Sequence, residues 1–379
     1  MTRHFHLSNY CAGTALLCLA LLPAAQAGVT DISNTPLSSA SNFAVAPNFM
    51  FILDDSGSMG WDYLPDVVID NNKCKRRNDS SDDCRPGDPP YYAAEFNTVY
   101  YNPRITYLPA KNFDGSSMGN QSTPTDVLVD PFTSSNKIDL TTQYPEMVYC
   151  KNSSDDPYGT NCARNGMAGT SLITFQYPVD TTSKLGTNSS YPDSTFDEPL
   201  TRLGPPHYFR IDPKEYCSDA NLVTCQLATA SSGTYVFPAP VRWCQDRTMA
   251  NSTSAQSGTS GGTPRCQVKY DNSHTYPRYG TFARVNIVSG KSYPKATTRS
   301  DCAGTTCTYA EEVTNFGNWY AYYRTRLKMM KTSAGRAFDR LDENYRIGFI
   351  TINPDDISTE YLKISEFSSK HREDWYTTL

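Results

Sequence analysis

Asp54, Ser56 and Ser58 stand at alternate positions in the run Asp54-Asp55-Ser56-Gly57-Ser58-Met59-Gly60. A carboxylate and two hydroxyls on one turn offer hard oxygen donors of low total charge, a set suited to a small divalent cation such as Mg²⁺ with water filling the remaining positions. The five residues before the turn, Phe49-Met50-Phe51-Ile52-Leu53, read as a buried strand. A turn at the carboxyl end of a central strand is where open α/β sheets bind their ligands. Gly57 would permit the sharp bend between the two serines. The turn alone is also compatible with an ordinary hydrophilic loop; the elements around it favour the metal reading.

Other chemistries fit less well. Gly258-Thr259-Ser260-Gly261-Gly262 matches the G-x-S-x-G pattern of serine hydrolases, but it lies in a Ser/Thr/Gly-rich stretch with no apolar strand before it. His207, His274 and His371 are the histidines beyond the leader, and none stands in a recognisable partnership with a nucleophile or a metal motif. An aspartate-nucleophile phosphatase would need Asp-x-Asp where Asp54-x-Ser56 is found. Lys73, Lys75, Arg76 and Arg77 are followed closely by Asp79, Asp82 and Asp83, so they read as a self-compensating solvated loop. With a net charge of −5 the chain has no electrostatic footprint for nucleic acid. The expectation is a binding protein with no catalytic residue and no organic cofactor. A secreted hydrolase using Ser260 and a passive structural surface domain are the alternatives.

The elements that must hold this turn are spread along 379 residues. Residues 1–27 read as a secretory signal peptide: Arg3, an apolar run from Ala12 to Pro23, and Ala25-Gln26-Ala27 as a small-x-small cleavage site. That run is shorter than a membrane span requires, so no integral membrane segment is expected after cleavage. Residues 28–60 carry the first strand and the metal turn. Residues 61–313 are rich in Pro, Gly, Ser, Thr, Asn, Asp and Tyr, show no sustained helical period, and read as an irregular, β- and loop-rich insertion. Ten cysteines lie within it: Cys74, Cys84, Cys150, Cys162, Cys217, Cys225, Cys244, Cys266, Cys302 and Cys307. An even number in an exported chain implies a disulfide framework. Sequence leaves the connectivity open. Nearest-neighbour pairing is the expectation, because each successive pair brackets a polar, turn-rich segment, and the bridges would staple loops with little core of their own.

Residues 314–379 change texture. Trp319, Tyr322, Tyr323, Leu327, Met330, Ala334, Phe338 and Leu341 recur at helical spacings, with Arg324, Arg326, Lys328, Lys331 and Arg336 between them. The pattern predicts one amphipathic helix from Asn315 to Asp342, capped by Thr314 or Asn315. A second buried strand follows at 345–352, an alternating edge strand at 361–367, and the opening of another helix from His371. Strand, helix, strand is a parallel crossover unit, and the fold class is α/β.

Phe51-Ile-Leu-Asp-Asp-Ser-Gly-Ser-Met59 resembles the metal-ion-dependent adhesion motif of von Willebrand factor A domains. Asn315-Phe-Gly-Asn-Trp-Tyr-Ala-Tyr-Tyr-Arg-Thr-Arg-Leu-Lys-Met-Met-Lys331, followed by Arg346-Ile-Gly-Phe-Ile350, resembles type IV pilus proteins of the PilY family. The resemblance implies an incomplete, Rossmann-like A-type domain interrupted by the cysteine-containing insertion. Residues 28–60 and 314–379 would supply roughly half of such a fold. It also implies a pilus-tip adhesin and assembly factor acting in attachment, surface sensing and twitching. Pilus components such as minor pilins, and a host or surface ligand with an acidic group, would be the partners. Location would be the periplasm in transit, then the pilus tip, the outer surface or the medium. Three metal ligands carry over, Asp54, Ser56 and Ser58. Thr377 and Thr378 lie in an apparent helix start and are not assigned, and the family's calcium loop has no counterpart here. Mg²⁺ held by three ligands and water should bind weakly.

Overall fold

Residues Asn48–Leu53 extend as strand β1, hydrogen-bonded along their length to a parallel strand β2, Arg346–Thr351, with Asn48 opposite Arg346 and Leu53 opposite Thr351. A third strand, β3 at Tyr361–Glu366, pairs antiparallel on the far side of β2, so the sheet order is β1-β2-β3. The computed structural model describes residues 46–69, 86–146, 148–150, 162–164, 184–185, 202–352, 354 and 357–379. Pro47–Leu379 form one unit and Met1–Ala46 another, and the leader lies outside the described residues.

Helices supply the cover for this sheet. The single helix expected over 315–342 is two helices, α1 at Tyr309–Tyr322 and α2 at Arg326–Phe338. Thr308 and Glu311 form a reciprocal capping box that starts α1 six residues earlier than expected. The break at 323–325 has a local cause, because Thr325 leaves helical dihedrals and its hydroxyl accepts from Lys328 N. The carbonyl of Tyr322 that the break frees accepts from Thr332 Oγ1 at 2.7 Å. Helix α3, Ser369–Thr378, closes the same side. Its Trp375 is fully buried, stacked on Phe338 at 4.4 Å and packed edge-on to Phe51 and Phe349.

Strand β1 departs from expectation. It stands at the edge of the described sheet and is largely exposed: Phe49, Met50 and Ile52 are 46%, 37% and 59% accessible. Only Leu53, and Phe51 in part, reach the core. Within β2, Gly348 is required by close approach, since a Cβ there would sit 2.9 Å from Leu362 O and from Ile364 Cγ1, at the point where the β2–β3 register slips.

The insertion has a core of its own, contrary to the expectation of loops with little to bury. Tyr63, Tyr91, Tyr92, Phe96, Tyr100, Tyr101, Tyr144, Phe209 and Trp243 pack with Phe316 and Trp319 of α1 in one aromatic cluster. Around it lie small antiparallel sheets such as His207–Asp212 with Thr281–Asn286, and Val241–Cys244 between Cys266–Gln267 and Tyr276–Tyr279. The Asn-Phe-Gly-Asn-Trp run of α1 serves the backbone of the loops that it supports. Asn315 Oδ1 accepts from Tyr107 N and its Nδ2 donates to Ile105 O, both at 2.8 Å. Asn318 accepts from Gln121 N and donates to Tyr107 O, and Trp319 Nε1 donates to Val99 O. Gly317 admits Gln121 O where a Cβ would lie 2.9 Å away. These loops thus find main-chain partners without a regular sheet.

Among the described residues three disulfides are present, Cys217–Cys225, Cys244–Cys266 and Cys302–Cys307. The first two join residues directly opposite each other in antiparallel strands. Cys74 and Cys84 lie outside the described residues. So do the side chains of Cys150 and Cys162, whose strands are registered with those two residues opposite each other.

Candidate functional site

The end of β1 is fixed by its partner. Ile352 N donates to Leu53 O at 2.9 Å, continuing the parallel ladder to the last strand residue, and the buried Leu53 side chain anchors it from below. The chain then turns. Asp54 Oδ1 accepts from Ser56 N at 3.0 Å, an Asx turn, and Gly57–Gly60 wind as one turn of 3₁₀ helix. Met59 N donates to Ser56 O and Trp61 N to Ser58 O. This winding brings the hydroxyls of Ser56 and Ser58 to 3.1 Å from each other.

The electrostatics match the geometry. Hydrogen bonds from the Ser56 hydroxyl and from its N–H hold the Asp54 carboxyl below its ordinary range, so it is an anion at neutral pH. Ser56 is exposed, and Asp54 and Ser58 are half-buried at the surface. Among the described residues no three His, Cys, Asp or Glu side chains converge on a point, so the candidate donor set is one carboxylate and two hydroxyls. Such a set fits a hard, largely hydrated cation and suits zinc poorly.

Gly57 plays a different part from the one expected. Its φ is not in the left-handed region, and a Cβ on it would meet nothing within 4 Å. The 3₁₀ winding makes the turn without needing a glycine, and Gly57 instead leaves open space at the surface. Thr377 and Thr378 donate back to the carbonyls of Glu373 and Asp374 in their own helix. Thr351, opposite Leu53 in register, is a residue that sequence reading passed over. It is buried, and its Oγ1 has no hydrogen-bond partner among the described residues. Its sole signal was its place at the end of the predicted second strand.

Ser260 falls in a two-residue strand pairing Thr259–Ser260 with Thr263–Pro264 around Gly261 and Gly262, both at positive φ. It is exposed. His274, which contacts this hairpin, places Nδ1 2.8 Å from Asp271 Oδ1 and Nε2 2.7 Å from Pro264 O. Both ring nitrogens lie within hydrogen-bond distance of these acceptors, so neither is aimed at the Ser260 hydroxyl. His207 lies in the aromatic core, with Nδ1 against Pro205 O, and His371 Nε2 meets Ile347 O. The basic run at Lys73, Lys75, Arg76 and Arg77 lies outside the described residues. No helix among the described residues is long and apolar enough to cross a membrane.

Comparison with known proteins gives one family name. The chain is 35% identical over 122 residues to the type IV pilus biogenesis factor PilY1 of Pseudomonas aeruginosa strain UCBPP-PA14, a match covering 32% of this chain and 9% of that protein. It is 28% identical over 133 residues to the PilY1 of strain PAK, covering 33% of this chain and 10% of the relative. The similarity thus spans about a third of this chain and a tenth of these relatives, and it supports the PilY family that the sequence motifs resemble. No family model and no solved structure matches.

Proposed function

We propose that this chain acts in type IV pilus biogenesis and adhesion. On this reading it is an exported protein that binds a partner through a divalent cation held by Asp54, Ser56 and Ser58. The supporting observation is the convergence of the two serine hydroxyls beside an ionised aspartate, at the end of a parallel strand pair, in a chain similar to PilY1 over a third of its length. Asp54 supplies the charge, and the two serines supply neutral donors that leave the cation electrophilic. A carboxylate from a partner would then complete its shell. The half-sheet of β1 and β2 with α2 and α3 would be part of an A-type domain, and the stapled insertion the surface beside it. Pilus components such as minor pilins, or an acidic surface ligand, are the partners that this chemistry would recruit at the pilus tip or outer surface.

The test is Asp54→Ala in the complete protein. Mn²⁺ binding followed by electron paramagnetic resonance should weaken about tenfold or more, roughly the loss of one charged ligand. Pilus-dependent attachment should fall with it. Unchanged metal binding and unchanged attachment would end the proposal.

A further inference from the structure

Beside the candidate metal turn lies a cleft of about 610 Å³, lined by Gly60, Trp61, Asp62, Gln143, Tyr320 and Arg324 among others, with the Asp62 carboxylate accepting from the Tyr91 hydroxyl at 2.5 Å. Its volume is within the range of roughly 300–1,000 Å³ typical of small-ligand sites. We propose that this cleft binds an acidic oligosaccharide of two or three residues, with its apolar ring face on Trp61 and its carboxylate on Arg324.

Four observations carry this. Trp61 is 40% exposed and is held as a platform: its ring stacks on Tyr63 at 5.1 Å and 15°, and the Arg326 guanidinium lies 5.1 and 5.2 Å from the two ring centroids. An exposed, preorganised indole is suited to the C–H face of a sugar ring. The floor is aromatic and already satisfied, with Tyr92 stacked on Tyr100 at 4.4 Å, Tyr100 OH donating to His207 O, and Tyr144 OH 3.0 Å from Tyr100 OH.

Spare polar capacity sits at the rim. Gln143 accepts from Asp139 N through Oε1, which leaves its amide N–H groups for a ligand. Arg324 stacks over Tyr320 at 4.0 Å, with no carboxylate within ion-pair distance among the described residues, whereas its neighbour Arg326 is neutralised by Asp66 at 2.5 Å. A guanidinium fixed on a ring, with no carboxylate of the described residues at ion-pair distance, is suited to a planar anion. A proline-rich peptide would need a row of exposed rings. Here Tyr63, Tyr92, Tyr144 and Tyr320 are all buried, and one indole stands exposed at the mouth.

The cleft uses none of Asp54, Ser56 and Ser58, so it does not depend on the metal. Calorimetric titration of the disulfide-intact protein in EDTA tests it, with sialyllactose and tri-galacturonate as acidic probes, maltotriose as the neutral one, and a proline-rich decapeptide. At least one acidic probe should bind, and maltotriose about tenfold or more weakly. Arg324→Gln and Trp61→Ala should each weaken acidic binding about tenfold, Trp61→Phe should restore part of it, and Asp54→Ala should leave it unchanged. Circular dichroism of each variant keeps a folding defect separate. The proposal is overturned if neither acidic probe binds below millimolar concentration, if binding survives both substitutions, or if the peptide binds in their place.

Discussion

Glu215 holds two guanidinium groups inside the insertion. Its Oε2 accepts from Arg242 Nη1 at 2.8 Å and its Oε1 from Arg278 Nε at 2.9 Å, with all three side chains buried. The arginines spend their other donors on the carbonyls of Leu222, Gln256, Ser252 and Ser254. Glu215→Gln would leave two buried cations without their anion, and urea denaturation should show a loss of about 3–5 kcal/mol. Lys328 gives a pH signature. It is buried against Val129 O, and desolvation lowers its ammonium to about 8 from 10.5. Between those values the unfolded chain keeps a proton that the folded protein has released, so stability should rise with pH from about 8. Above pH 10 the trend reverses, because buried Tyr92, Tyr100 and Tyr144 resist an ionisation that the unfolded chain allows. Lys328→Met should flatten the rise in a series of thermal melts. That Asp54, Ser56 and Ser58 share one turn was legible because they lie at alternate positions within five residues. The Glu215 triad was not, since its members are 27 and 63 residues apart and only the folded sheets bring them together.

Among the elements, β1 and the α1–α2 break show what periodicity can and cannot convey. Five consecutive apolar residues read as a strand covered on both faces. A strand's neighbours come from elsewhere in the chain, and here β1 has one described neighbour and shows Phe49, Met50 and Ile52 to solvent. Exposed apolar edges pair with other edges, and natural proteins blunt them with charge. Ile52→Lys should therefore reduce self-association measured by light scattering, while changing unfolding free energy by no more than about 0.5 kcal/mol. The helix break was hidden for a different reason. The apolar spacing runs on through 323–325, and only the dihedrals of Thr325 and the bond from Thr332 to Tyr322 O reveal the stop. The cations between the apolar positions also serve as fasteners. Arg326 Nε donates to Tyr63 O and Arg336 to Pro109 O, both at 2.8 Å, which clamps α2 to the insertion.

At the scale of the whole molecule, the mixed α/β character and the presence of disulfides were visible in the element pattern and the cysteine count. The insertion's aromatic core was not, because tyrosines scattered over 250 residues have no period. They meet through loops whose backbone is satisfied by Asn315, Asn318 and Trp319. The three bridges among the described residues close loops of 8, 22 and 5 residues by sequence separation, each between positions already adjacent in the fold. Such short closures bear on how the protein answers a pull. Stretched from its two ends, the oxidised chain can give up its sheets but cannot pay out the residues behind a bridge. The Cys244–Cys266 loop alone withholds roughly 75 Å of extended chain. Single-molecule stretching of the oxidised protein should show a total unfolded length greater by about that amount in a Cys244→Ser/Cys266→Ser variant than in the parent chain, and this difference should vanish when a reductant opens every bridge. The disulfides thus set a limit on extension under load, a property distinct from the depth of the folded well.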